Sequence, residues 1–167
     1  MRQKGFTLVE LLVAIGIIGI LSSIAVVSVS NVRAKARDAK RVADVKQIQI
    51  GLEAYLNDKG EFPGFQGNLG VKNGADLIDK LCGTDAGFQK DACGADATYM
   101  TPVPANPTPN GASYGYTSKN AGGKDCSLDA DKMCATYEIV FNLEGGSGTL
   151  TKGTYKADEN GIVRTGE

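Results

Sequence analysis

Histidine and tryptophan are both absent from this chain of 167 residues, and no proline occurs before Pro63. Without an imidazole the chain has no Ser-His-Asp or Cys-His pair, no histidine-bearing zinc site and no histidine proton shuttle. Chemistry based on carboxylates, lysine or a metal is not excluded, but the sequence contains no motif for it. The composition therefore favours a structural or binding protein over an enzyme.

A dominant charge is lacking as well, since 18 Lys+Arg face 19 Asp+Glu. The balance is uneven: residues 1–58 hold eight basic and five acidic side chains, whereas residues 59–167 hold ten basic and fourteen acidic ones. Proteins bind nucleic acids mainly through clustered Lys and Arg at the phosphates. The acidic second part is therefore not expected to bind a nucleic acid.

A long apolar run is present from residue 6 to about residue 32. Its roughly 25 residues would form a helix of about 38 Å, enough to cross a membrane. The apolar core of a secretory signal peptide has only about 7–15 residues, and the carboxylate of Glu10 would be misplaced in one. Small residues recur at i, i+3 and i+7 as Gly16, Gly19 and Ser23. They either permit close helix packing or are ordinary membrane-helix residues.

The helical pattern continues beyond the apolar run to residue 58, with no proline to interrupt it. Apolar residues recur there at steps of three or four. They are Ala36, Ala39, Val42, Val45, Ile48, Leu52 and Tyr55. The basic residues lie mainly off this stripe, which predicts a solvated helix face beside a membrane. Asn57 and Gly60 supply a stop signal, so we predict one helix of about 50 residues whose second half docks a globular domain.

Four cysteines, Cys82, Cys93, Cys126 and Cys134, all follow the predicted helix. An even count is typical of disulfides in an oxidising compartment, and sequence alone allows three pairings. We favour Cys82–Cys93 with Cys126–Cys134 because this solution needs only short loops. Zinc is disfavoured, since there is no C-x-x-C motif and no histidine.

The remainder of the chain predicts a short helix and a small antiparallel sheet. Residues 74–83, GADLIDKLCG, favour a helical turn or two. Residues 137–143 alternate as a strand with one apolar face, and a hairpin is expected to turn at Asn160-Gly161. Neither the strand face nor the helix stripe can be buried alone, so we predict that the sheet covers the second half of the helix in an α+β fold.

The stretch KGFTLVELLVAIGIIGIL, residues 4–21, resembles the class III signal of type IV pilins and of their pseudopilin relatives in type II secretion. The resemblance extends over residues 1–60 and includes YLNDKGEFP at residues 55–63. It implies that a prepilin peptidase cuts between Gly5 and Phe6, and that the new amino terminus of Phe6 is N-methylated. Glu10 would then be the fifth residue of the mature chain, where the family keeps a glutamate.

The resemblance also implies a role for Glu10. In a stack of subunits, its carboxylate can meet the Phe6 amine of a neighbouring copy, and each charge would be costly alone. Apolar helices slide with little preference, so this pair would fix their axial offset. The alternative is a carboxylate that extends to the membrane interface and has no partner. We favour the paired state, because ionisable groups within membrane segments are usually functional.

These inferences predict a leader at residues 1–5, an apolar transmembrane or filament-core helix at 6–32, its amphipathic continuation at 33–58 and a pilin-like head at 59–167. The expected function is that of a major pilin in a type IV pilus-like filament. Its partners would be other copies, prepilin peptidase, the pilus assembly machinery and the cytoplasmic membrane. A type II secretion pseudopilin and a pilin-like protein for DNA uptake are the alternatives.

A calcium site is the one cofactor possibility that the resemblance raises, since major pseudopilins bind calcium in a late loop. Asp125, Asp129 and Asp131 are the candidate ligands in this chain. Calcium needs six to eight oxygen ligands, and three carboxylates without a recognised loop favour surface charge. We therefore expect no cofactor.

Overall fold

The computed structural model describes residues 5–70, 78–84, 87–108, 113–126 and 133–166. A single long helix, α1 (Leu8–Lys59), comes first. The strands that follow are β1 (Gln66–Leu69), β2 (Lys80–Cys82), β3 (Phe88–Gln89), β4 (Thr98–Met100), β5 (Tyr114–Lys119), β6 (Thr136–Leu143), β7 (Gly153–Asp158) and β8 (Gly161–Arg164). The predicted α+β class and the long N-terminal helix are confirmed.

Both ends of α1 are capped by residues that suit their positions. At the start, the Thr7 side chain accepts a hydrogen bond from the Glu10 N–H at 3.3 Å, and the Glu10 carboxylate accepts one from the Thr7 N–H at 2.9 Å. This reciprocal pair is a capping box. At the end, Gly60 adopts a left-handed conformation with φ 78° and donates to the Leu56 carbonyl. Only glycine enters this region without steric cost.

The first half of α1, residues 8–32, is called the apolar half below. Where the structure describes their side chains, the large apolar residues of this half are exposed, and Leu8 and Val32, near its two ends, are 75% and 63% exposed. α1 is the one helix of the described residues that is long and apolar enough to cross a membrane. Nothing in the fold of a single chain stabilises this surface against water.

The second half of α1, residues 33–59, is called the docked half because it lies against the sheet. Val45, Ile48, Leu52 and Tyr55 are all at most 1% exposed, and burial of each such side chain contributes about 1.5–3 kcal/mol. This part of the predicted stripe is confirmed. Val42 is half-buried and packs against the core as predicted, but the first two positions of the stripe are wrong, because Ala36 and Ala39 are exposed. Repeated steps of three drift around a helix of 3.6 residues per turn.

The larger sheet has the strand order β1-β5-β6-β7-β8, and every neighbouring pair is antiparallel. The central strand β6 alternates, with its odd-numbered residues buried towards α1, which confirms the predicted strand. The final hairpin is also confirmed. Its loop lies one residue earlier than expected, since Gly161 pairs with Asp158 and leaves Glu159 and Asn160 between the strands.

The smaller sheet, in the order β3-β2-β4, corrects the prediction of a helix at residues 74–83. Residues 80–82 are strand β2, and residues 74–77 lie outside the described part. Leu81 pairs with Phe88 on one side and Met100 on the other, and its side chain is fully buried. These partners are distant in sequence, so local composition could not reveal the strand.

Two disulfides join loops of the head. Cys82 at the end of β2 is bonded to Cys93, and Cys126 after β5 is bonded to Cys134 before β6. These are the same two pairs as in the short-loop solution. All four sulfur-bearing residues are at most 8% exposed, and two of them are part of the core. The bridges therefore hold segments of little regular structure against the sheets.

Candidate assembly site

Glu10 lies in the first turn of α1, beside the residues where processing is expected. Its carboxylate accepts hydrogen bonds from the Thr7 N–H and from the Thr7 hydroxyl, the latter at 2.8 Å. Phe6 is 78% exposed, and Gly5 before it is exposed and outside regular secondary structure. A hydrogen-bond acceptor is thus held in the first turn of the helix, four residues along the chain from Phe6.

The small residues of the apolar half leave an open helix surface. Apart from the adjacent residues and the neighbouring backbone of α1 itself, no described atom lies within 4 Å of the position that a Cβ would take at Gly16 or at Gly19. The hydroxyl of Ser23 donates to the Ile20 carbonyl at 2.8 Å, so it needs no partner outside its own helix. A second helix could therefore approach this surface closely.

Four charged residues form what we call the polar clasp, where the docked half meets the β6–β7 loop. They are Arg37, Asp38 and Arg41 of α1, and Glu144 just after β6. Arg41 is fully buried and donates to the Asp38 carboxylate at 2.6 Å and to Glu144. Arg37 forms a bidentate ion pair with Glu144, donating from Nε to Oε1 at 3.0 Å and from Nη2 to Oε2 at 2.5 Å. Such pairs are the strong form of charged hydrogen bond.

The polar clasp also holds the backbone of the loop that follows β6. Asp38 accepts hydrogen bonds from the N–H groups of Glu144, Gly145 and Gly146, at 2.9, 2.7 and 2.8 Å. Arg41 also donates hydrogen bonds to a second loop, to the Asn106 side chain at 2.7 Å and to the Pro107 carbonyl at 3.2 Å. Two loops that are far apart in sequence are therefore tied to one turn of α1.

Both carboxylates of the clasp are held in the ionised form. Burial alone raises the pKa of Asp38, but the three N–H donors and Arg41 outweigh it, so this pKa lies below its usual value. The hydrogen bonds from Arg37, opposed by burial and reinforced by Arg41, lower the pKa of Glu144 to about 2. Near neutral pH the clasp is therefore fully charged.

The polar clasp corrects the prediction of a solvated basic face at 33–46 for two of its six residues, Arg37 and Arg41, while Arg33, Lys35, Lys40 and Lys46 are exposed as predicted. A signal was available in the sequence, since Asp38 and Arg41 continue the buried series of Val45 and Ile48 at steps of three and four. They lie on the buried face because their charges neutralise each other and every donor and acceptor is satisfied. Apolarity alone could not identify them.

The calcium candidates are not brought together in the described part of the chain. Asp129 and Asp131 lie outside it, and Asp125 forms a β-bridge with Lys119. The described residues contain no group of three or more acidic, cysteine or histidine side chains able to hold a metal. Chemically, the described residues offer an exposed apolar helix, a carboxylate near its start and a head fixed to its second half.

This combination defines a class of protein: a head domain on an apolar helix that other molecules must cover. Residues 1–26 match the family model of the prokaryotic N-terminal methylation motif. The type II secretion system core protein G of Dickeya chrysanthemi is 36% identical over 156 residues, covering 91% of this chain and 94% of that protein. The fimbrial protein of Neisseria meningitidis serogroup B is 31% identical over 78 residues, covering 47% of this chain and 46% of that protein.

The chain therefore belongs to the family of type IV pilins and type II secretion pseudopilins. A further relative is the type IV major pilin protein PilA of Myxococcus xanthus, 28% identical over 69 residues, covering 41% of this chain and 31% of that protein. No solved structure gave a significant match. Proteins of this family are structural subunits of filaments.

Proposed function

We propose that this chain is the major structural subunit of a type IV pilus-like filament, held together by the apolar half of α1. The single observation that carries the proposal is the uncovered surface of that half, from Leu8 to Val32. A surface of this size is covered by lipid or by other protein. The membrane would hold the chain before assembly, and neighbouring copies would replace lipid in the filament.

Processing would prepare the start of the helix for this exchange. Prepilin peptidase would cut between Gly5 and Phe6, and Phe6 would carry the methylated amine. This amine stays largely cationic near neutral pH. The Glu10 carboxylate of one copy would pair with the Phe6 amine of the next, while the surface of Gly16, Gly19 and Ser23 would let the helices approach.

The two disulfides support a location for the head domain. Cys82–Cys93 and Cys126–Cys134 are typical of an oxidising environment, so the head would lie outside the cytoplasm. The chain would cross the cytoplasmic membrane once, with the assembly machinery and prepilin peptidase as its partners there. The mature filament would be extracellular.

Substitution of Glu10 tests the proposal, and the capping box makes the choice of variant important. Glu10→Gln keeps a side chain that can accept from the Thr7 N–H, but it removes the charge that would pair with the Phe6 amine. We expect normal amounts of membrane-bound chain and at least about a tenfold loss of sheared fibres, because a buried amine without its partner is penalised by about 3–5 kcal/mol.

Thr7→Ala is the matched control, since it weakens the cap and keeps the carboxylate. Loss of a cap costs about 0.5–2 kcal/mol, which a long helix in a membrane tolerates, so fibre yield should change little. Normal fibres from Glu10→Gln, or equal losses from both variants, would refute the pairing. The mass of the mature amino terminus provides an independent check on cleavage before Phe6.

A pseudopilin of type II secretion is the second candidate, and one observation favours it. Relatives that align over most of both chains include core proteins G, whereas the fimbrial and pilin alignments reported above cover less than half of this chain. Long surface fibres composed of this chain at its natural expression level would identify a pilin. Thermal stability that depends on calcium, and is lost on Asp129→Ala or Asp131→Ala, would identify a pseudopilin.

A further inference from the structure

Four exposed basic residues lie where the apolar half ends and the head begins, and we call them the basic rim. Arg33, Lys35 and Lys40 belong to α1, and Lys152 ends the loop between β6 and β7. Lys152 lines the same cleft, of about 550 Å³, as Ala34 of α1. The helix and the head therefore contribute basic residues at the same end of the head, next to the apolar half.

The acids of the same two segments do not offset the basic rim. Residues 33–40 and 144–153 contain two acids between them. These are Asp38 and Glu144, which the arginines of the polar clasp neutralise. No residue of the basic rim forms an ion pair with another described residue. Four positive charges are thus available to a partner outside the chain.

The length of the helix places the basic rim at a membrane surface. No charged residue lies between Glu10 and Arg33, and the helix between them is about 35 Å long. The hydrocarbon core of a bilayer is about 30 Å thick. With Glu10 at one interface, Arg33 and Lys35 would therefore reach the headgroups at the other.

The basic rim surrounds the helix and does not form a stripe along it. Successive residues of an α-helix are turned by about 100°, so Arg33 and Lys35 are about 160° apart around the axis. A protein that docked against one side of α1 would contact only one of these two residues. Lipid headgroups surround a membrane helix on every side, so they can contact both.

We propose that the basic rim binds the headgroups of anionic phospholipids, in the leaflet next to the head, while the chain is anchored in the membrane. The inference rests on the proposed function, since it concerns the state that precedes assembly. Most membrane proteins have their excess of Lys and Arg on the cytoplasmic side. Cleavage before Phe6 would leave this chain with none on that side, because residues 6–32 contain no Lys or Arg. Anionic headgroups supply a partner for the excess on the opposite side.

Distance from the membrane predicts unequal contributions within the basic rim. A basic residue near an anionic surface strengthens binding by roughly fivefold. Lys40 lies about 10 Å beyond Arg33 along the axis, which exceeds the screening length of about 8 Å in physiological salt. The charge of Lys40 also acts on the buried carboxylate of Asp44. Arg33 and Lys35 should therefore contribute more than Lys40.

The lipid selectivity of the full-length chain tests the proposal. The chain is reconstituted in phosphatidylcholine vesicles that contain a trace of spin-labelled phosphatidylglycerol or spin-labelled phosphatidylcholine. Electron paramagnetic resonance then gives the ratio of the two association constants. Arg33→Gln/Lys35→Gln should lower this ratio by at least about threefold, and Lys40→Gln by less than about twofold. In about 1 M salt the screening length is only about 3 Å, so the ratio of the unchanged chain should fall as well.

Lys59→Gln/Lys124→Gln is the matched control, since it removes two exposed basic residues at the far end of the head. Lys59 lies about 39 Å beyond Arg33 along the axis, many screening lengths away from the membrane, so the ratio should change by less than about 1.2-fold. Near-UV circular dichroism checks that the head is folded in every variant.

Equal ratios for Arg33→Gln/Lys35→Gln and for the control would overturn the proposal. It would also be overturned if Arg33→Gln/Lys35→Gln lost fibres in cells with no change in the lipid ratio, because the basic rim would then serve an acidic protein.

The two proposals fail in different ways. If the lipid ratio responds as expected but the unchanged chain forms no fibres, only the proposed function is refuted. If the unchanged chain forms fibres that are lost in Glu10→Gln, while the lipid ratio does not respond, only the lipid contact is refuted.

Discussion

The apolar half and the docked half of α1 belong to one continuous helix, yet they obtain their stability from different sources. The docked half buries Val45, Ile48 and Leu52 completely against the head and carries the polar clasp. The apolar half buries almost nothing, and its Ile18 is 61% exposed. The comparison shows that one secondary-structure element can serve folding at one end and association at the other, with little overlap between the residues used.

The largest effect that would break this division is expected at Asp38. Asp38→Ala leaves three backbone N–H groups and the Nη1 group of the buried Arg41 without their acceptor, so the head should lose about 3–5 kcal/mol of stability. All six tyrosines lie between residues 55 and 155. Guanidinium unfolding of the full-length chain in detergent, followed by near-UV circular dichroism, therefore reports on the head.

Glu53→Ala is the control for that measurement. It removes an exposed carboxylate from the same helix, and its effect on unfolding should be within about 0.5 kcal/mol. A small loss from Asp38→Ala, similar to that of the control, would show that the polar clasp does not stabilise the head.

A matched pair of isoleucines sharpens the comparison directly. Ile48→Ala removes a fully buried side chain of the docked half, and unfolding of the head should become easier by about 2–5 kcal/mol. Ile18→Ala makes the same chemical change in the apolar half, and the unfolding midpoint of the head should not move. Fibre yield should respond to Ile18→Ala instead. A shift of the head midpoint in Ile18→Ala would contradict the division.

The smallest expected effect is that of acid. The folded-state pKa values of Asp38 and Glu144 lie below their ordinary values, so both groups stabilise the head above about pH 4.5, and this stability is lost as pH falls towards 2. Asp44 acts in the opposite direction, because burial raises its pKa despite the hydrogen bond from Tyr114. The unfolding midpoint should fall between about pH 6 and pH 3, and Glu144→Gln should flatten that fall.

The elements that the sequence predicted well are those with strong local periodicity. The length of α1, its stop at Gly60 and the alternation of β6 are all visible in local patterns. Strand β2 could not be predicted locally, because Leu81 is held by Phe88 and Met100 across gaps in sequence. The polar clasp escaped prediction for a related reason: a charged pair can occupy a buried helix face only where a distant loop supplies its partners.

The roles of Gly5, Phe6, Glu10, Gly16, Gly19 and Ser23 have a different status, because they depend on neighbouring copies. One chain shows the open surface at Gly16 and the capping bond at Glu10, but a single chain does not contain the second helix. The resemblance of residues 4–21 to the class III signal supplied the roles of Gly5, Phe6 and Glu10, whereas the spacing of the small residues suggested that of Gly16, Gly19 and Ser23. The Glu10→Gln fibre assay and the mass of the mature amino terminus test the first three.

The polar clasp has a mechanical consequence for a filament under tension. A pull on the apolar half reaches the head first at the turn that holds Asp38 and Arg41. Apolar contacts between side chains slide under shear. The short hydrogen bonds from the N–H groups of Gly145 and Gly146 to Asp38 are directional and resist shear until they break. The pulling force would therefore pass from α1 into β6, the central strand of the sheet, through these few hydrogen bonds. It would reach the apolar contacts further along the docked half only afterwards.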